Sequence, residues 1–173
     1  SALSLEEIAG VVRLGVKKLG LRKLYNQEIP NSCYLKVTDN RFARDLFPDM
    51  YIICDTEEVC LLKRTTAEEI ASLHFEFMPK VRTSNIQTVP NVPDRQSRFP
   101  GVTINKYKKG TVVFSAVPLF VQSNNADTSP WNEALAQNII TALLPHKFID
   151  IPGYTDIEAV ITRRDSSLFL HFL

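Results

Sequence analysis

Catalytic signposts are what this sequence has least of. It holds no glycine-rich phosphate loop, no G-x-G-x-x-G and no G-x-S-x-G or G-x-C-x-G. Nucleotide binding and a nucleophile elbow therefore both lack the small residues that their backbone turns require. Cysteine is scarce too: Cys33, Cys54 and Cys60 are an odd number and follow no metal-ligand spacing, which excludes the close Cys or His pairs of a structural zinc site. Cys54 and Cys60 stand in apolar text, "YIICD" and "EEVCLLK", and read as buried free thiols of a reducing compartment, the cytoplasm. No apolar run approaches the roughly 20 residues of a membrane-spanning helix. The opening "SALSLEEIAG" lacks the basic and apolar regions of a signal peptide. One-sided charge is missing as well. A formal net charge of +1 gives no global field toward nucleic acid or an anionic membrane.

What is there reads as an ordinary globular chain. Its 173 residues are 45% hydrophobic and 23% charged, enough to bury a real core within one domain of common size. Ser4 and Glu7 form a capping box, and Leu5, Ile8, Val12, Val16 and Leu19 recur at three and four residues. This spacing predicts one helix running to a C-cap at Gly20. Arg13, Lys17, Lys18, Arg22 and Lys23 then read as its solvated face, since no aromatic interleaving or glycine-rich loop accompanies them.

The text then becomes β-rich. "CYLKV" (33–37), "MYIICD" (50–55), "VCLLKR" (59–64) and "IASLHFEFM" (70–78) predict strands. "TDNRFARDLFP" between the first two predicts a short helical turn ended by Pro48. Residues 79–101 carry four prolines and predict a long loop, which is an exposed excursion, a subunit contact or a lid. "GVTINKY" and "TVVFSAVPL" flank "KKG", predicting a hairpin with positive φ at Gly110 and a second strand covered on both faces. "DTSPWNEALAQNIITALLP" predicts a helix with Ser129 as N-cap, Pro130 at the first position and Pro145 as its stop. Trp131, Leu135, Ile139 and Leu143 mark its buried stripe. The ending predicts a hairpin turning at residues 164–167. Together these make an α/β chain, a mixed β-sheet with flanking helices.

The search for a reacting group finds none. His74, His146 and His171 are far apart in the sequence and read as structural or surface residues. Glu57 with Glu58, Glu68 with Glu69, and the trio Asp150, Asp156 and Glu158 offer carboxylates for glycoside hydrolysis. Adjacent glutamates of this kind are ordinarily solvated, and no spacing here fixes a catalytic pair.

The strings "CYLKVTDNRFARDLFPDM", "FPGVTINKYKKGTVVFSAVPLF", "NIITALLP" and "IEAVITRRDSSLFLHFL" occur in an order that resembles a known domain type. It is the amidotransferase-like α/β domain, related to the β-galactosidase trimerisation domain, that follows the barrel in bacterial glycoside hydrolases. The branch most similar is the hypothetical glycosyl hydrolase or α-L-fucosidase-like one. Family members show a "YLRVTDH" stretch, a "P-A-V-x-x-N-x-Y-G-K-G-R-V-V-Y" hairpin and a closing strand like "HLVN". The matching positions are Tyr34–Asp39, Pro100–Phe114 and Leu170–Leu173, so the resemblance spans about residues 30–173. Lys108 stands where the family's turn has its first glycine, and the family's domain has further elements upstream, so the chain resembles the later part of such a domain.

The resemblance implies a class I glutamine amidotransferase-like fold over 1–147 with a small C-terminal β extension over 148–173. It implies a non-catalytic accessory or oligomerisation role in a glycoside hydrolase, with no cofactor and no metal. A barrel of about 250 residues would lie outside this chain, which would partner that barrel, a further copy of itself or carbohydrate, and neither nucleic acid nor membrane. Substrate contact falls to the loop residues Arg95, Gln96 and Arg98, with Trp131 as a sugar-stacking platform or as helix-to-sheet packing. Two other classes stay open. One is a stand-alone carbohydrate- or protein-binding module. The other is a small amidotransferase-like hydrolase using a cysteine nucleophile, which requires an exposed thiol of depressed pKa.

Overall fold

The computed structural model describes residues 4–24, 27–77, 92–95, 98–119, 130–144, 159–164 and 167–172. The chain divides into two compact units, residues 1–143 and 144–173. In the first, helix α1 (Leu5–Ala9) opens on the capping box: Glu7 N donates to Ser4 Oγ at 3.1 Å, and Ser4 N donates to Glu7 Oε2 at 2.8 Å.

The helix stops far earlier than the apolar spacing predicts. Gly10 adopts φ 68 and caps α1, because a left-handed residue breaks the helical ladder and glycine takes it without cost. Val11 and Val12 follow, and β-branched side chains favour the extended strand β1 (Val11–Lys18). Gly20, expected to be the cap, sits instead at φ 77 in the bend after β1. There Leu19 N and Gly20 N both donate to Glu57 O. A short hairpin that the sequence reading did not anticipate comes next, β2 (Leu21–Leu24) with β3 (Gln27–Pro30).

The remaining strands are β4 (Ser32–Val37), β5 (Ile52–Asp55), β6 (Glu58–Arg64), β7 (Glu68–Phe75), β8 (Phe99–Tyr107) and β9 (Gly110–Ser115). Five of them form a sheet in the order β5-β4-β7-β8-β9. β6 pairs with β1 and meets the end of β9 through Cys60 N, which donates to Ala116 O at 3.1 Å, so the sheet curls. Among the described residues every strand pair is antiparallel, a sheet-rich mixture of strand and helix.

One sheet face carries the core. Cys33, Leu35, Ile52, Ile70, Leu73 and Val102 are buried there together with Leu135 and Ile139. The last two belong to helix α2 (Pro130–Leu143), and Trp131 and Leu143 pack partly buried against the same cluster. The stripe therefore falls where its spacing predicts. Asn138 fastens α2 to the turn after β4, its Nδ2 donating to Phe42 O at 2.9 Å and Arg44 O at 2.8 Å.

The turn in "TDNRFARDLFP" is a 3-10 helix, Asn40–Phe42, capped by Asp39, whose Oδ1 accepts from Arg41 N at 3.0 Å. The Arg41 guanidinium also binds the Asp39 carboxylate at 2.6 Å and Glu68 at 2.7 Å. It holds the Asp39 carboxyl below its ordinary value. A carboxyl lowered on folding stabilises the fold above its unfolded pKa of about 3.9 and loses that share as pH falls through the lower folded value. Asp39→Ala is therefore expected to cost about 1 kcal/mol at neutral pH. In strong acid the urea midpoints of the variant and the parent chain should converge, with Asp39→Asn lying between them at neutral pH.

The β8–β9 hairpin forms as predicted, with Tyr107 paired to Gly110. The positive φ belongs to Lys108, at 52, rather than to Gly110. That is the position where the resembled family has glycine, and a non-glycine residue there costs about 1 kcal/mol. β9 is half-exposed rather than covered on both faces. In the second unit, β10 (Ala159–Arg164) and β11 (Ser167–Phe172) form the expected terminal hairpin, pairing from Ala159↔Phe172 to Arg164↔Ser167. The expected cap Ser129, the stop Pro145, and most of 79–101 lie outside the described residues. No helix among the described residues is long and apolar enough to cross a membrane.

Candidate functional site: a polar cleft over β4 and β7

Side chains alternate along a strand, so while Cys33 and Leu35 face the core, Tyr34 and Lys36 face the other way. Register places Tyr34 opposite His74 and Lys36 opposite Ser72. These four make a polar patch on the outer face of the sheet. Tyr51, just before β5, stands edge-on to His74 at 5.2 Å and to Tyr34 at 6.4 Å between ring centroids. Over this floor lies a cleft of about 550 Å³, walled by Thr38, Asp49, Arg95 and Arg98, within the size range of small-ligand sites.

His74 organises the cleft. It is 4% exposed, and its Nδ1 lies 3.0 Å from the Asp94 carbonyl oxygen. A carbonyl only accepts, so Nδ1 carries the proton and donates. Nε2 lies 2.9 Å from Ser72 Oγ and accepts from its hydroxyl in the neutral ring. Asp94 N donates to Phe75 O at 2.7 Å, Phe77 N donates to Val92 O at 2.8 Å, and Glu76 bridges Pro93. Residues 92–94 therefore lie as an antiparallel extension along the end of β7. Arg95 emerges from that extension at the cleft wall.

The charges are arranged in pairs. Lys36 Nζ binds Asp49 Oδ1 at 2.8 Å and holds that carboxyl below its ordinary value. Arg98 binds Glu69 Oε1 at 3.2 Å. Among the described residues Arg95 has no carboxylate within ion-pair distance. The walls thus carry three cations, Lys36, Arg95 and Arg98, against one carboxylate, Asp49.

Arg95 and Arg98, two of the loop residues expected to touch substrate, come together here, while Gln96 lies outside the described residues. Trp131 is elsewhere, its ring meeting Phe47 edge-on at 5.2 Å beside the core. Sequence reading passed over Lys36, Tyr51 and Ser72, and took His74 as a structural or surface residue. Lys36, Ser72 and His74 sit in apolar strand text where only the register shows that they converge.

The Ser72–His74 pair has the atoms of a nucleophile and a base. Ser72, however, is 1% exposed, and its hydroxyl also lies 3.4 Å from the Lys36 carbonyl oxygen. With its polar atoms already partnered, the pair reads as a satisfied polar floor of the cleft. Two of the three thiols are no better placed. Cys33 and Cys54 are buried cross-strand partners, with Cys33 Sγ donating to Cys54 O at 3.4 Å. The Cys33 contact and burial push the Cys54 thiol up, the reverse of what a nucleophile needs. Among the suspected carboxylates, Glu68 binds Arg41 and Glu69 binds Arg98, while Asp150, Asp156 and Glu158 lie outside the described residues. Among the described residues no group of three His, Cys, Asp or Glu side chains is placed to hold a metal. No protein-family model, curated protein or solved structure matches the chain.

Proposed function

We propose that this chain is a non-catalytic accessory or oligomerisation domain of a glycoside hydrolase, carried beside a catalytic barrel that lies outside it. The class comes from the resemblance of residues 30–173 to amidotransferase-like domains of such enzymes. The observation that carries the accessory role is the free edge of β1. Among the described residues this eight-residue strand pairs on one side only, with β6. It exposes Val12 at 47%, Leu14 at 56% and Val16 at 41%. Arg13, Lys17 and Lys18 are exposed on the same strand, but an open edge that also shows apolar side chains remains a template for pairing, which natural proteins ordinarily cover. Here the cover is the barrel of the parent polypeptide or a second copy of the chain. Three free thiols favour the cytoplasm for the whole assembly.

The test is the size of the natural polypeptide, read by immunoblot with an antibody against this chain. The expected band exceeds twice the chain's own 19.6 kDa, room enough for a barrel of about 250 residues. A band at the chain's own mass overturns the proposal. The cleft favours a second reading, a stand-alone binding module, and that result would leave it standing. A cysteine hydrolase finds no support in Cys33 and Cys54, which are both buried.

A further inference from the structure

The cleft mixes three kinds of recognition chemistry that a single ligand class needs together. We propose that it binds an acidic saccharide, holding a carboxylate borne on a sugar ring; the saccharide part rests on the carbohydrate reading above.

Arg95 and Arg98 reach the wall from two backbone segments, one tied to β7 through Asp94 and the other leading into β8. Guanidinium groups present flat forks of N–H donors that match a carboxylate in two parallel bonds. Arg98 is already oriented by Glu69 at 3.2 Å, which fixes the group without satisfying all its donors. Arg95 is exposed and has no carboxylate within ion-pair distance among the described residues. One anionic group would complete this wall.

The opposite wall has a different character. Asp49 accepts from Lys36 at 2.8 Å and is otherwise open to solvent, so its remaining lone pairs suit the hydroxyls of a neutral ring. Tyr51 is half-buried, and its ring is held by its edge contact with His74, a preset apolar surface beside those hydroxyl sites. A bare sulfate or phosphate would use the arginines but bring no hydroxyl to Asp49 and no ring face to Tyr51. A neutral sugar would use Asp49 and Tyr51 but leave the cationic wall unmatched. A uronic acid uses both walls, and the 550 Å³ volume admits one or two sugar rings.

The test is an equilibrium titration of the 173-residue chain with methyl glucuronide and digalacturonate, against methyl glucoside and sodium sulfate. At least one acidic sugar is expected to bind about tenfold or more tightly than either the glucoside or sulfate, with affinity falling as salt is raised. Arg95→Ala together with Arg98→Ala should abolish that preference, whereas Lys109→Ala in the distant hairpin turn should leave it intact. Equal binding of glucoside and acidic sugar, no binding of either acidic sugar, or a preference surviving the double variant would each overturn the proposal. Sulfate binding as tightly as the acidic sugars would overturn it too, leaving a bare anion site. The immunoblot does not involve the cleft. A large natural polypeptide whose chain binds no acidic sugar sinks this proposal alone, and a small one that binds them sinks only the accessory role.

Discussion

Gly10→Ala is expected to lower folding stability by about 2–4 kcal/mol, well beyond the cost of the same methyl at Gly20. Two causes add. Gly10 holds φ +68, where a Cβ strains the backbone by about 1 kcal/mol. The new carbon would also sit 2.5 Å from Thr66 Oγ1, 2.7 Å from Asn105 Cγ and 2.8 Å from Ala67 N. Neither the backbone nitrogen nor Asn105 can easily withdraw. Asn105 is buried, donating to Ile8 O at 2.8 Å and accepting from Thr66 Oγ1 at 3.1 Å. Thr65 N and Ala67 N both donate to Gly10 O, so a shift here loosens the contact between the end of α1 and the start of β7. Relief of such overlap costs about 1–3 kcal/mol beyond the strain.

Gly20→Ala separates the two causes. Its φ is +77, and the nearest atom to its added Cβ is Asn31 Nδ2 at 3.8 Å, so only the backbone strain of about 1 kcal/mol applies. The measurement is a pair of urea unfolding curves. If the two variants lose the same stability, the Thr66–Asn105 pocket yields freely and the packing argument is wrong.

Gly10 also shows why part of this fold was hard to read. Leu5, Ile8, Val12, Val16 and Leu19 fit a helical period, but Val12, Leu14 and Val16 fit a strand period equally well. Local pattern does not choose between them. Pairing with β6, and a left-handed glycine at the boundary, do. By contrast, the capping box, the helix from Pro130 and the two late hairpins depend on neighbours within a few residues, and their text was sufficient. The candidate site was legible only at Arg95 and Arg98, because charged residues in a proline-rich loop stand out. Lys36, Ser72 and His74 join them through the register of β4 on β7, a contact between residues 36 and 72 that no short window contains. Trp131 drew notice as a large aromatic, yet helical periodicity had already placed it on the stripe that packs inward.

His74→Leu is the second large effect expected, and it acts on stability and binding together. The histidine spans the floor of the cleft, accepting from Ser72 at 2.9 Å and donating to the Asp94 carbonyl at 3.0 Å. Leucine fills similar space but makes neither bond. Ser72 then has only the long 3.4 Å approach to Lys36 O, and the tie between β7 and residues 92–95 is weakened next to Arg95. Losing two hydrogen bonds at a buried site should cost about 2–3 kcal/mol, seen as a lower urea midpoint. Arg95→Ala, at an exposed position, should change stability by no more than about 0.5 kcal/mol. In the glucuronide and digalacturonate titrations the order reverses its meaning. If His74 positions Arg95, the folded His74→Leu chain should lose at least as much affinity as Arg95→Ala, and combining the two should add little. If His74→Leu is destabilised but binds normally, Arg95 is held by something other than the His74–Asp94 bond, and the histidine is a purely structural element of the sheet.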